Sequence, residues 1–416
     1  MLRSGINLER FRSSVGATLF RRLTFSLSVV VLAVGCREIL GDFQVRGRDA
    51  SVEPSDGGRD ATDAKATNVA NPPDAACVGA TYPGPPTVAG SGGDITFNVS
   101  LVTEDWGDLT LPDGGPSNVT LGRNLDGLCS GATSTACSQP ASAMTDFHAD
   151  GPSGIDNAAG QAAAYFGGGI TALDQQSERL GTRAYVVRVS GYNGEMNDDN
   201  VTVAWYAATA HRVSDAGVDE GDAGAAPANP RVWHPLNDYT SDSLDVAPRY
   251  ETRLAYVTNG TLVASFLQLA VGGPPSVSKL SKATVTATVE LGDAGSYVLH
   301  DVLLTGRWAV GDVLNLMLTA LARFDNANCA DAPQVQPKLA YLTQYICNRV
   351  DVSSAGDDLS NTCDSLSLGV KFGSMPAELS GPVVTTKDKG NCSTVTAELC
   401  KQFPVMSSRA TNASSP

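Results

Sequence analysis

Four oxygen-bearing side chains crowd residues 146–158, DFHADGPSGIDNA: Asp146, Asp150, Asp156 and Asn157. Carboxylate and carboxamide oxygens in a glycine-containing loop are what a hard cation such as calcium takes, so these four are the candidate metal ligands. The same residues have a purely structural reading. Asp156 stands just before an alanine-rich run, where an acidic residue caps a helix N-terminus. A second polar loop, GYNGEMNDDN at 191–200, carries Glu195, Asp198 and Asp199. It suits a metal or a sugar, or is simply the solvated turn of a hairpin. Catalytic chemistry is thinner. The histidines are His148, His211, His234 and His300, and no HExxH, GxSxG or phosphate-binding loop is present. His300 and Asp301 adjoin in a strand-like run, where neighbouring side chains point to opposite faces. With 44 acidic residues, a carboxylate pair for glycoside hydrolysis carries no information. Trp205 and Trp308 fall at apolar periodic positions and read as core. Trp106, flanked by Asp105 and Gly107-Asp108, reads as an exposed ring able to stack on a sugar. No catalytic residue and no cofactor-binding residue is assigned.

The 146–158 segment resembles the Asp-rich loops of calcium-binding repeats. It lacks the alternating ligands and the twelfth-position Glu of an EF-hand. The net charge of −15 bears on partners: an acidic chain repels phosphate backbones, which excludes nucleic acid as an expected partner. Aromatics are sparse at 6%, whereas Gly (42) and Pro (22) are abundant, which suits a turn-rich β protein better than a helical bundle.

The charge is unevenly placed. The first 35 residues are basic, and Arg21-Arg22 precedes the apolar run LTFSLSVVVLAV from Leu23 to Val34. A membrane-spanning helix needs roughly 20 apolar residues, so this run is too short to span and reads as the core of a signal peptide. It ends in Leu32-Ala33-Val34-Gly35-Cys36, which resembles the bacterial lipobox. The resemblance implies a diacylglyceryl thioether on Cys36, cleavage before it and acylation of the new N-terminus. Two or more acyl chains anchor stably where one does not. Arg37 in place of Asp implies, by analogy with enteric lipoproteins, the outer membrane over the inner one.

Nine cysteines occur, and assigning Cys36 to lipid leaves eight: Cys77, Cys129, Cys137, Cys329, Cys347, Cys363, Cys392 and Cys400. An even set in an exported chain reads as disulfides. Sequence proximity suggests Cys129–Cys137, Cys329–Cys347, and Cys363 with Cys392 or Cys400. Cys77 has no local partner. No CxxC spacing favours zinc.

These residues must be carried by elements. Residues 36–82 hold few large apolar side chains and should form a disordered tether. Flexible chain of that length spans roughly 35–40 Å. The first folded region, 83–213, shows a strand at Ile95–Val102, short helices at 155–166 and 171–180, and a hairpin formed by alternation at 185–190 and 201–206. An acidic linker fills 214–230. The second region, 231–400, opens with Asn259-Gly260 between two strand-like runs, the strongest hairpin signal. Alternation at 284–291 and 297–304 gives a second hairpin. Val310, Val313, Leu314, Met317 and Leu321 then follow helical spacing, and another helix starts near Pro337. Residues 363–372 return to strand, and 401–416 form a polar tail.

The segment GIDNAAG (154–160), the helix after Gly306-Arg307-Trp308, the Cys329…Cys347 hairpin and Cys363 opening a late strand together resemble uncharacterised cysteine-containing exported lipoproteins of Gram-negative bacteria. That resemblance implies no activity. The expected fold class is mostly β with some α: antiparallel β-sandwich-like regions with a few packed helices, disulfide-stapled. The expected function is that of a lipid-anchored cell-envelope lipoprotein, non-enzymatic, with a binding or structural role toward an envelope protein or glycan. The alternative is a calcium-dependent carbohydrate-binding or adhesion module, and the third reading is an exported hydrolase.

Overall fold

The computed structural model describes residues 80–88, 90, 92–107, 121–128, 137–140, 154–165, 183–210, 213–214, 217–218, 232–241, 246–273, 276–292, 295–324, 335–356, 358–381 and 383–384. The expected signal peptide, Cys36, most of the tether, Asp146, Asp150, the helix at 171–180, the tail, and cysteines 77, 129, 329, 392 and 400 lie outside the described residues.

Twelve strands occur among the described residues. They are β1 (Ile95–Asp105), β2 (Ala184–Tyr192), β3 (Asp198–Thr209), β4 (Val213–Ser214), β5 (Gly217–Val218), β6 (Val232–Pro235), β7 (Tyr250–Thr258), β8 (Thr261–Gly273), β9 (Ser276–Leu291), β10 (Tyr297–Ala309), β11 (Ser365–Pro376) and β12 (Glu378–Leu379). Three helices join them: α1 (Ala158–Tyr165), α2 (Val310–Phe324) and α3 (Val335–Cys347).

The expected sandwich is wrong. Eight strands run in the order β3-β2-β1-β11-β10-β9-β8-β7, and β7 pairs again with β3, so the sheet closes into an antiparallel barrel. Strands from both sides of the 214–230 stretch share this one barrel. The physical reason for the error is plain. A sandwich and a barrel both bury one face of each strand, so both give the same alternation along the chain. What separates them is non-local pairing, here Val203 with Thr252 and Trp205 with Tyr250.

Eight strands enclose a space that side chains can just fill. Val99, Leu101, Val187, Val203, Trp205, Leu262, Val285, Leu304 and Val370 are essentially inaccessible to solvent and belong to one core. Three bulge residues with positive φ, Thr103, Lys282 and Asp301, sit where the ladders shift register and help the walls curve. Asn259 (φ 50°) and Gly260 (φ 76°) make the tight β7–β8 turn that the dipeptide announces.

Both helices α2 and α3 lie at one end of the barrel, because β10 runs directly into α2 at Val310 and α3 leads on to β11. Val313, Leu314 and Ile346 carry that helical layer into the core. Asp312 in the first turn of α2 accepts the Lys279 N–H at 2.9 Å and fastens the helix to β9. At the same end a single 3-10 turn, Asn237–Tyr239, inserts Tyr239. Its hydroxyl donates to the Gly272 carbonyl at 2.7 Å, and the Gly272 N–H donates to the Tyr185 hydroxyl at 2.6 Å.

Two patches of outer wall are also covered. Ala184, Val186, Ala204, Tyr206 and Ala208 on β2 and β3 pack under Trp233 of β6, and the parallel pair β6–β12 completes this flap. Across the barrel, residues 365–370 of β11 and 302–308 of β10 are buried on both faces. That explains why β10 extends past the expected Leu304 to Ala309.

Candidate functional site

The outer faces of β10 and β11 carry Thr305, Arg307, Ser365, Ser367 and Gly369. All four side chains are buried, under loops that pack onto this wall. Asn157 is the residue just before α1, and its Oδ1 accepts the Gly160 N–H at 2.9 Å, the bond of a helix N-cap. The same carboxamide pairs with strand β11. Nδ2 donates to the Gly369 carbonyl and Oδ1 accepts the Gly369 N–H, both at 2.9 Å. Asn157 therefore copies one rung of a β-ladder with its side chain. The Ala158 N–H donates to Ser367 Oγ at 2.8 Å, so α1 starts directly on the strand. Gly369 has to be glycine: a Cβ there would lie 2.6 Å from the Gly122 Cα.

Asp156 faces elsewhere. Its Oδ2 accepts the N–H groups of Leu125 (2.6 Å) and Asp126 (3.2 Å) and fixes the 121–128 loop. Asp351 accepts the Ser367 N–H on Oδ1 at 2.8 Å and the Ser367 hydroxyl on Oδ2. Arg307, 2% exposed, donates to the carbonyls of Ser353 (2.6 Å) and Leu125. The Tyr82 hydroxyl shares a 2.6 Å bond with Thr305, and burial pushes its pKa upward. A buried charge or amide with this many partners holds its loops in a single arrangement.

Sequence reasoning placed Asp156 as the helix cap; the structure gives that task to Asn157, one residue later. The two adjacent side chains serve different segments. Asp156 Oδ2 and Asn157 Oδ1 each accept two N–H bonds, while Asp156 Oδ1 accepts no hydrogen bond. Among the described residues no group of three His, Cys, Asp or Glu side chains could hold a metal ion.

The 191–200 loop is built around Asp198, which is fully buried. Its Oδ2 accepts the Asn193 N–H at 2.7 Å and its Oδ1 accepts the Asn200 N–H at 3.0 Å. Glu195 and Asp199 stay exposed on the rim. His300 lies 3.4 Å from Glu290 on the neighbouring strand. Asp301 turns to Lys371 at 2.7 Å, whose hydrogen bond and charge lower the Asp301 pKa. The two histidine and aspartate neighbours thus serve separate surface pairs. Trp205 and Trp308 are core, as expected. Trp106 is not an exposed ring: it is 7% exposed and lines a cavity of about 10 Å³ with Ala159, Ala162, Trp308, Val313 and Leu366. A space of about one water's size with so apolar a lining offers no set of polar partners for a sugar.

Among the described residues a disulfide joins Cys137 to Cys363, with Cα atoms 5.3 Å apart and a sequence separation of 226. This replaces both Cys129–Cys137 and a partner for Cys363 at 392 or 400. Backbone bonds explain the choice: Ser138 N–H donates to Asn361 O and Cys363 N–H donates to Ser138 O, so the two segments lie side by side. Cys347 is also disulfide-bonded, to a partner outside the described residues.

Sequence reasoning missed Asp351, Ser367, Arg307 and Tyr82. One signal was present: Ser365-Leu366-Ser367-Leu368 alternates polar and apolar in a strand that the pattern treats as half-solvated, and Arg307 sits inside another. Comparison with protein-family models, with curated proteins and with solved structures found no match for the chain.

Proposed function

We propose that the chain is an exported protein anchored to the cell envelope by lipid on Cys36, and that its barrel is a non-enzymatic module for binding or support. The observation that carries the reading is Cys36 itself, placed directly after the short apolar run Leu23–Val34 and Gly35. The even set of eight further cysteines and the long-range Cys137–Cys363 bridge suit an oxidising compartment.

The chemistry of the barrel supports the second half of the proposal. Most of its large apolar side chains point inward, and its uncovered wall displays Thr, Ser, Lys, Glu and Arg beside a few apolar residues such as Leu254 and Leu267. A lipid-embedded barrel has the opposite arrangement. Such a barrel belongs in water beside a membrane, a place that a lipid on Cys36 at the head of the 36–82 stretch would give it. The polar groups gathered on β10 and β11 are committed to loop and helix attachment, which suits a rigid scaffold.

The test is fractionation of cells expressing the wild type and Cys36→Ser. The wild type should partition with detergent-extracted membranes. The variant should be released or accumulate with its leader uncleaved. A variant that still behaves as a mature membrane lipoprotein sinks the proposal.

A further inference from the structure

Both cysteines of the Cys137–Cys363 bridge bypass a much nearer one. Cys129 stands 8 residues before Cys137 and Cys347 stands 16 before Cys363, whereas the bridge spans 226. Cys347 is bridged elsewhere, to a partner outside the described residues. In an unfolded chain the chance that two residues meet falls as roughly the 3/2 power of their separation. Cys137 therefore meets Cys129 on the order of a hundred times as often as it meets Cys363. Cys363 meets Cys347 about fifty times as often as it meets Cys137. What brings the native pair together is the fold. The Ser138 N–H donates to Asn361 O at 2.7 Å, the Cys363 N–H donates to Ser138 O at 2.9 Å, and the two Cα atoms then stand 5.3 Å apart. Once made, the bridge is sealed in the core, with Cys137 2% and Cys363 3% exposed.

We propose that the chain depends on a thiol–disulfide exchange partner, one that presents a reactive thiolate to it before the barrel closes. An oxidant acting alone pairs Cys129 with Cys137 and Cys347 with Cys363, and leaves no thiolate on these four. The partner's thiolate attacks the Cys137 sulfur, takes Cys137 into a mixed disulfide and releases the Cys129 thiolate. A second attack, on the Cys347 sulfur, releases the Cys363 thiolate. That thiolate attacks the Cys137 sulfur, closes the native bond and expels the partner's thiolate. The Cys129 thiolate and the Cys347 mixed disulfide pass on to their own partners by the same exchange. Disulfides are conserved throughout, so no oxidant or reductant is consumed. The need for exchange rests on the connectivity alone. That the partner works outside the cytoplasm rests on the export proposed above, by which Cys129 and Cys137 also arrive ahead of Cys363.

Oxidative refolding of the full chain, diluted from urea with every cysteine reduced, tests it. One arm uses diamide, which oxidises thiols and supplies none. The other uses reduced with oxidised glutathione, whose thiolate is the probe of exchange. Peptide mass mapping reads the linkages in soluble and aggregated protein alike. The diamide arm should give mainly Cys129–Cys137 and Cys347–Cys363, with Cys137–Cys363 in less than about a tenth of the chains. The glutathione arm should give mainly Cys137–Cys363. A purified protein with a Cys-x-x-Cys thiolate, added to the diamide product, distinguishes the sources of that thiolate. Faster conversion than by glutathione at equal thiol supports a protein partner, and equal rates support a small thiol. Cys137–Cys363 as the main linkage under diamide would overturn the proposal, and so would its absence under glutathione. The linkages are read on the purified chain, so neither result depends on lipid at Cys36.

Discussion

The barrel has two covered walls, and the side chains that cover them differ in kind. On β2 and β3 the cover is apolar: Ala184, Val186, Ala204 and Ala208 give a low surface on which Trp233 lies, and the flap around it makes a short parallel ladder. On β10 and β11 the cover is polar: Asn157, Asp351 and Arg307 bond strand and loop atoms, and Cys137–Cys363 ties the loops to the entry of β11. Apolar contact is non-directional, so what fixes the flap's position on the first wall is its short ladder with β3, Ala208 with Pro235 and Thr209 with His234. Hydrogen bonds fix distance and angle, so the second wall sets the loops in one geometry. The same β-sheet thus supports one attachment made by apolar contact with a short backbone ladder and one made by buried side-chain hydrogen bonds.

The largest expected effect separates the walls by location. Trp233→Ala removes the central ring of the dry wall and should cost about 3–5 kcal/mol in urea unfolding. Hydrogen exchange should then rise at 184–186 and 378–380, with 366–370 still protected. If both walls loosen together, they are a single cooperative unit. Asp351→Ala should come next, at about 2–4 kcal/mol, because it strands the buried N–H and hydroxyl of Ser367. Here exchange should rise on β11 and spare the flap. Replacing both Cys137 and Cys363 by Ser should cost about 2–4 kcal/mol through the freed unfolded chain. An unchanged urea midpoint would show that the polar bonds alone fix this wall. Asn157→Ala should cost about 1–3 kcal/mol. Coupling between Asn157→Ala and Asp351→Ala, which share β11, should exceed that between Asn157→Ala and Trp233→Ala.

The smallest effect is on pH dependence. Burial, with Tyr297 and nearby carboxylates, pushes the Tyr192 hydroxyl up to about 12, and burial raises Tyr82, Tyr239, Tyr250 and Tyr256 as well. An unfolded tyrosine ionises near pH 10, so between about 10 and 12 the unfolded chain binds fewer protons than the folded one. Stability is therefore intact below about pH 10 and falls as pH rises through that window. Flat stability up to pH 12 would mean that these hydroxyls reach solvent.

The strands were legible because inward and outward residues alternate: 185–190, 201–206 and 284–291 appear where that period predicts them. The turn at Asn259-Gly260 was legible for a similarly local reason, its need for positive φ. Closure was not, since the pairing of Trp205 with Tyr250 spans 45 residues and leaves no periodic trace. The polar wall was hidden for another reason. Ser367 and Thr305 occupy positions that look solvent-facing, and only the loops folded over them reveal that they are buried. Trp106 was misread likewise, because flanking Asp and Gly describe its neighbours in sequence and not the helices above it. The Cys137–Cys363 bridge depends on the bonds between residues 138 and 361–363, which no cysteine spacing encodes.

The most direct test of the central claim is mass spectrometry of the N-terminal peptide of protein purified from membranes. A mature chain beginning at Cys36, with its sulfur and amino group carrying lipid, is the predicted result. A mature N-terminus elsewhere, or a Cys36 found unmodified or in a disulfide, would contradict it.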